Sequence, residues 1–497
     1  MSARPLPVSP PAEQGVDSSG ITAFLDAVEA DPDIEPHSLM ILRHGHVVAS
    51  GWWAPYTPER LQLLYSLSKS FTSTAAGFAV AEGLLDLDHP VISYFPEFEA
   101  DITDPRSRAM LVRHVAAMAS GHLTETYADA LRLDRKETVR GFLLIPPDRD
   151  PGTVFAYNQS ATYTLAAIVQ RVTGLSLTEY LRPRLFDPLG IGETAWTRNR
   201  TGREIGFSGL HAATDAVARL GQLHLREGVW EGRRLLPASW IAEATRAHIA
   251  NADGTPEGAR SDWQQGYGFQ FWRGRHGYRG DGAFGQFCVV LPEHDAVIAT
   301  TAATDRMQEL LDLMWTHLLP AFGTAPLPAG GEGDEVLRRR LTRLALPPVE
   351  AASEPPEPVD AWSDAEFVPA QGVCAEQPTL TGVVVTSGDK GPRISLVEGD
   401  RRLELRLGGT GWTVDPGPTP TAVSGGWTDP GTLRVDVLFL ETPHRLTVIC
   451  SLPGRTFTAR WHTTPLHARS LESLHAPSRQ SSTDHRKTPY RATPSAT

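Results

Sequence analysis

Residues 346–360 carry five prolines and three glutamates. Such a stretch stays extended and has little to bury, and the hydrophobic period of the chain changes across it. Before it, apolar residues recur mostly at helical spacing from Ser66 to about His248. Beyond it they alternate. Leu403, Leu405 and Leu407 interleave with Arg402, Glu404 and Arg406, while Val435, Val437 and Phe439 interleave with Arg434, Asp436 and Leu438. Two periods on either side of a proline-rich joint require at least two units. At ~150 residues per domain the 497-residue chain has room for about three.

The first unit mixes the two periods. A helix from Ser19 carries Ile21, Phe24, Leu25 and Val28 on one face, and strands at 38–42 and 46–51 flank Arg43-His44-Gly45, a hairpin signature. Helical signals follow at 66–83, 108–119, 160–173, 178–186, 212–226 and 237–248; strands return at 286–291 and 296–301, then a helix at about 304–318. A helical block inserted between early and late strands predicts an α+β unit with one antiparallel sheet flanked by helices. The expected organisation is a disordered arm over 1–18, this unit over 19–322, and a helix with a Pro/Glu-rich linker over 323–361. A small β sandwich or barrel of about six strands should fill 362–468, and 469–497 should form a disordered tail.

Composition narrows the function classes. Forty-six basic against 58 acidic side chains leave a net charge of -12, which repels nucleic acid and anionic membranes. Neither is an expected partner. Cys288, Cys374 and Cys450 are far apart and odd in number, so buried thiols in a reducing compartment are expected rather than a disulfide framework. The proline-rich N-terminus lacks the apolar core of a secretory signal, and no run approaches the ~18 apolar residues of a spanning helix. A cytoplasmic address is expected.

Three segments could carry chemistry. Ser66-Leu67-Ser68-Lys69 is a Ser-x-x-Lys tetrapeptide, common in itself, but on a helix it places the Ser66 hydroxyl beside the Lys69 amine. Lys69 is the only charged residue from Ser66 to Val80. Burial in such a stretch lowers a lysine pKa, and a neutral amine can take a proton from a serine. Tyr157-Asn158-Gln159 precedes a helix, where a tyrosine can either relay a proton or simply pack. Gly280, Gly282 and Gly285 satisfy G-x-G-x-x-G, yet a strand follows instead of a helix, which excludes a dinucleotide fingerprint. Glycines there would let backbone approach a ligand, or form a bulge. No metal-ligand spacing is present around His44-Gly45-His46, and neither a metal nor a cofactor is expected.

Taken in this order, the three segments resemble the serine β-lactamase and penicillin-binding superfamily, in its class C β-lactamase-like esterase and peptidase branch. The likeness spans about 19–320 and includes Met118-Ala119-Ser120-Gly121, Asp187-Pro188-Leu189-Gly190 and Gly266-Tyr267-Gly268-Phe269. It implies Ser66 as nucleophile, Lys69 as the residue assisting its deprotonation, and Tyr157 as base and then acid. It further implies Gln159 and Gly280-Asp281-Gly282 as substrate-binding positions and an oxyanion hole from the N–H groups of Ser66 and Ala283. Two positions depart from the family pattern. Gln159 stands where Asn or Ser is usual, and the lysine of the third motif is missing, with only Arg279 and His276 nearby to supply positive charge. Losing that cation favours neutral esters or amides over carboxylate-bearing substrates. Three readings follow: a carboxylesterase-type hydrolase of a small ester or amide, a true β-lactamase or D-amino-acid peptidase, and a catalytically silent scaffold. Oligomeric state is not legible in the sequence.

Overall fold

A computed structural model of the chain describes residues 5–328, 331–352, 356, 361–386, 392–467 and 470–477. Helix α1 (Ser18–Ala30) starts one residue before the expected Ser19, capped by the Asp17 carboxylate, which accepts the Ser19 N–H at 2.8 Å. Strands β1 (Glu35–Arg43) and β2 (His46–Trp52) form the anticipated hairpin, whose turn puts His44 and Gly45 at φ 51° and 82°. A short 3₁₀ turn over Tyr65–Leu67 leads into α2 (Ser68–Ala81), buried at every residue from Ser68 to Ala79. Helices α3 (Gln159–Thr173) and α4 (Thr214–Leu225) stand close to their expected places. The segment 108–119 departs from expectation, forming two helices, Pro105–Ala109 and Val112–Ala116, separated by extended backbone at Met110 and Leu111.

Four strands complete the first sheet: β3 (Trp272–Gly274), β4 (Gly277–Gly282), β5 (Gln286–Leu291) and β6 (Ala296–Ala303). The order is β2-β1-β6-β5-β4-β3, antiparallel throughout. Side-chain alternation divides it between two cores. Met40, Leu42, Cys288, Val290, Val297 and Ala299 face the helical block of α2, α3 and α4. Leu39, Ile41, Phe287, Val289 and Ile298 face α1, α5 (Met307–Leu313) and α6 (Glu332–Leu341).

Beyond residue 361, nine strands among the described residues, rather than six, curl into a barrel-like sheet around one core. They are β7 (Ala365–Pro369), β8 (Gly382–Thr386), β9 (Arg393–Glu398), β10 (Arg401–Arg406), β11 (Thr413–Asp415), β12 (Thr421–Asp429), β13 (Thr432–Phe439), β14 (His444–Ser451) and β15 (Thr456–Trp461). The additional strands are β7, β11 and β12; in β12, Gly425 and Gly426 interrupt the hydrophobic alternation because backbone carbonyls of Arg434 and Ala352 press on them.

Two expectations of disorder and one of a poorly packed linker need correction. In the N-terminal arm, Val8 bridges to Val47, Pro11–Gln14 forms a 3₁₀ turn and Val16 is wholly buried. Proline suits such an extended strap, while Leu6, Ala12 and Val16 supply the apolar surface that holds it. The linker is likewise packed over 344–352. Leu344 and Leu346 are buried, the Leu346 N–H donates to the Ala54 carbonyl at 2.8 Å, and Ala352 pairs with Trp427. At the tail, Leu471 and Leu474 join the core of the second sheet, and the Glu398 carboxylate accepts the Leu471 N–H at 2.7 Å. Residues 1–4, 329–330, 353–355, 357–360, 387–391, 468–469 and 478–497 lie outside the described residues.

The second sheet is fixed to the first unit. The Leu63 N–H donates to the Glu441 carbonyl at 2.9 Å, and Arg445 pairs with the buried Glu35 at 3.0 Å. Ala422, Leu438 and Leu440 enter the core beside α1. Cys288, Cys374 and Cys450 are buried free thiols. Among the described residues no helix is long and apolar enough to cross a membrane.

Candidate active site

The site begins at the N-terminal end of α2. Ser66 is half-buried in the 3₁₀ turn, and Lys69, one helical turn further on, is 1% exposed. Its amine is held by three oxygens: Ser66 Oγ at 3.0 Å, Gln159 Oε1 at 2.7 Å and the Phe207 carbonyl at 2.8 Å. The Phe207 loop is fastened to the same helix, because Thr72 donates to the Gly206 carbonyl and Ser68 Oγ accepts the Leu210 N–H. Burial drives the Lys69 pKa well below its ordinary value, partly opposed by the negative charges of Asp281 and Glu125. Of its three oxygen partners, two can only accept. A neutral amine satisfies both with its two hydrogens and leaves its lone pair for the one partner that can donate, the Ser66 hydroxyl.

The second segment is positioned by Asn158. Its side chain caps α3 by accepting the Ser160 N–H at 3.0 Å and also accepts the Thr126 hydroxyl at 3.1 Å. This places Tyr157 and Gln159 on either side of the cap. Tyr157 stacks on Trp272 with ring centroids 5.2 Å apart, lies under the Lys69 amine at 4.7 Å, and hydrogen bonds with Ser66 and the Trp272 indole. Burial pushes its phenol upward from the usual range. Tyr157 is therefore a neutral O–H donor at neutral pH, not a phenolate stabilised by Lys69. Gln159 turns its carbonyl oxygen to Lys69, and its backbone N–H donates to Glu125 at 3.2 Å.

The third segment lies on β4. Register ends at Trp272↔Arg279 on the β3 side, so Gly280, Asp281 and Gly282 run past the end of β3 and form an edge against the first turn of α2. A Cβ at Gly280 would meet Leu67 and Ser70, and one at Gly282 the Leu64 carbonyl. Close approach explains the glycines. Asp281 pairs with Arg279 at 2.8 Å, both buried, and burial raises the Asp281 pKa. The Asp281 carboxylate is thus paired with its own neighbour on the strand. His276 is exposed at the β3–β4 turn, where it packs on Trp315, and takes no part here.

The structure brings Ser66, Lys69, Tyr157, Gln159 and the β4 edge together. Sequence reasoning missed Phe207, Trp272 and Glu125. A backbone carbonyl has no sequence signature, and the two side chains come from segments without helical or strand periodicity around them. Among the described residues no cluster of His, Cys, Asp and Glu could hold a metal ion.

These segments set a hydroxyl, an amine and a phenol side by side. The model of the beta-lactamase family matches residues 23–321, and the chain belongs to that family. It is 29% identical over 294 residues to the 6-aminohexanoate-dimer hydrolase of Paenarthrobacter ureafaciens, covering 54% of this chain and 74% of the relative. Esterase EstB of Burkholderia gladioli is 27% identical over 209 residues, 36% of this chain and 53% of that protein. A solved structure from Bacillus anthracis, assigned as a 6-aminohexanoate-dimer hydrolase, superposes with a TM-score of 0.52 at 18% identity, over 63% of this chain and 87% of that one. The chain is a serine hydrolase of the β-lactamase fold whose relatives include esterases and an amide hydrolase.

Proposed function

We propose that the chain hydrolyses an uncharged ester or amide through an acyl-enzyme on Ser66, in the manner of a carboxylesterase. The observation that supports this most directly is the setting of Lys69: its amine lies 3.0 Å from Ser66 Oγ, its other two partners are acceptor oxygens, and burial lowers its pKa. Lys69 takes the hydroxyl proton as Oγ bonds to the substrate carbonyl carbon. The oxyanion is received by the N–H groups of Ser66, at the start of a helical turn, and of Ala283, just past the β4 edge. Tyr157, a neutral phenol beside Ser66, gives its proton to the leaving group and recovers one from Lys69. In deacylation a water takes the leaving group's place and the proton retraces the path.

Preference for uncharged substrates follows from the cations. Lys69 and Arg279 are buried and bonded within the protein, so neither offers an exposed anchor for a substrate carboxylate. No nucleic acid or membrane partner enters this reading. Fluorophosphonate should label wild-type protein and fail to label Ser66→Ala, with p-nitrophenyl butyrate turned over faster than a chromogenic cephalosporin or a D-amino-acid amide. Faster cephalosporin turnover would move the protein to the β-lactamases. Absence of both labelling and turnover in wild type would leave a silent scaffold.

A further inference from the structure

The two segments that carry the proposed oxyanion donors share an unusual backbone feature. Tyr65, just before Ser66, has φ 46°, and Phe284, just after Ala283, has φ 68°. Side chains with a Cβ avoid this region, and they persist there only when their surroundings hold them. Both side chains converge on one residue of the other domain. His444, the first residue of β14, is buried; its Nε2 lies 2.6 Å from the Tyr65 hydroxyl, and its ring meets those of Tyr65 and Phe284 edge-on, with centroids 5.9 and 5.4 Å apart. Tyr65 and Phe284 also meet each other edge-on at 5.4 Å. The tautomer is determined by the far side of the ring, where Nδ1 lies 2.9 Å from the Thr463 carbonyl, a group that only accepts. Nδ1 carries the hydrogen, and Nε2 accepts from Tyr65.

We propose that His444 is a positioning residue for the oxyanion hole, supplied by the barrel-like second domain. One imidazole anchors the residue on the N-terminal side of Ser66 and the residue on the C-terminal side of Ala283, and so sets the spacing of their two N–H groups. The second domain thereby takes part in turnover without touching substrate. This rests on the acyl-enzyme reading and on Ser66 and Ala283 as its oxyanion donors.

The test uses the full chain with p-nitrophenyl butyrate. His444→Phe keeps an aromatic ring and removes the acceptor; Tyr65→Phe removes the donor from the catalytic side and reads the same bond if His444→Phe fails to fold. Each should lower kcat by about 10- to 100-fold, less than the loss of a whole oxyanion donor, with KM within about twofold of wild type. The double variant should be no slower than the slower single one, and His444→Gln, whose amide oxygen can accept from Tyr65, should recover most of the rate. Fluorophosphonate labelling should slow in parallel with kcat. Unchanged kcat in Tyr65→Phe and in folded His444→Phe, or multiplying losses in the double variant, would overturn the positioning role while leaving the hydrolase reading intact. An inactive, unlabelled wild type would overturn the hydrolase reading and this role with it.

Discussion

At the residue scale, the proposed chemistry turns on Lys69. It is a cation by nature, placed where three oxygens meet and water is excluded, and desolvation outweighs the two nearby carboxylates. Lys69→Arg should be inactive, because a guanidinium stays protonated. The base works only when neutral, so activity rises with pH through the Lys69 pKa. Asp281 stabilises the ammonium and holds that pKa up. Asp281→Asn removes this negative charge and unmasks Arg279, and both effects favour the neutral amine. The acid limb of the kcat/KM profile should therefore move to lower pH; a shift to higher pH would refute Lys69 as base. Tyr157→Phe should reduce kcat by about 10² to 10⁴, the range of one general acid. A loss under about tenfold, measured at the same pH, would reduce Tyr157 to packing against Trp272.

At the scale of elements, the site is the seam between the start of α2 and the end of β4. Gly280 and Gly282 permit that seam, since any side chain there would strike Leu64, Leu67 or Ser70. Restoring a lysine at the third motif is consequently blocked. Gly280→Lys, alone or with Asp281→Thr, should lower the melting temperature and ester turnover together and create no preference for β-lactams, as a thermal melt and paired substrate assays would show. The Ser-x-x-Lys helix was legible because a single lysine among small and apolar residues is a strong local pattern. Gly277–Gly282 has no alternation to read; its glycines left a ligand approach or a bulge open, and the family resemblance chose between them. The break at Met110 and Leu111 was hidden for the opposite reason, since continuous apolar periodicity masks a change in backbone direction.

At the scale of the whole molecule, the last described residues close the second core. Removing 470–497 takes Leu471 and Leu474 out of it and leaves Glu398 without the Leu471 N–H. The cost should be about 2 kcal/mol or more per lost leucine, seen as a lower midpoint in urea or heat. An unchanged midpoint would mean that this segment does not dock. The change of period across residues 346–360, the helical and all-β character on either side of it, and the spacing that sets Ser66 beside Lys69 were legible in the sequence alone, because periodicity and local spacing are properties of neighbouring residues. The lowered pKa of Lys69, the Asp281–Arg279 pair and the packing of residues 5–17 and 470–477 were decided by tertiary structure. Each depends on desolvation or contact between residues far apart in the chain, as when His444 closes against Tyr65 from across the domain boundary.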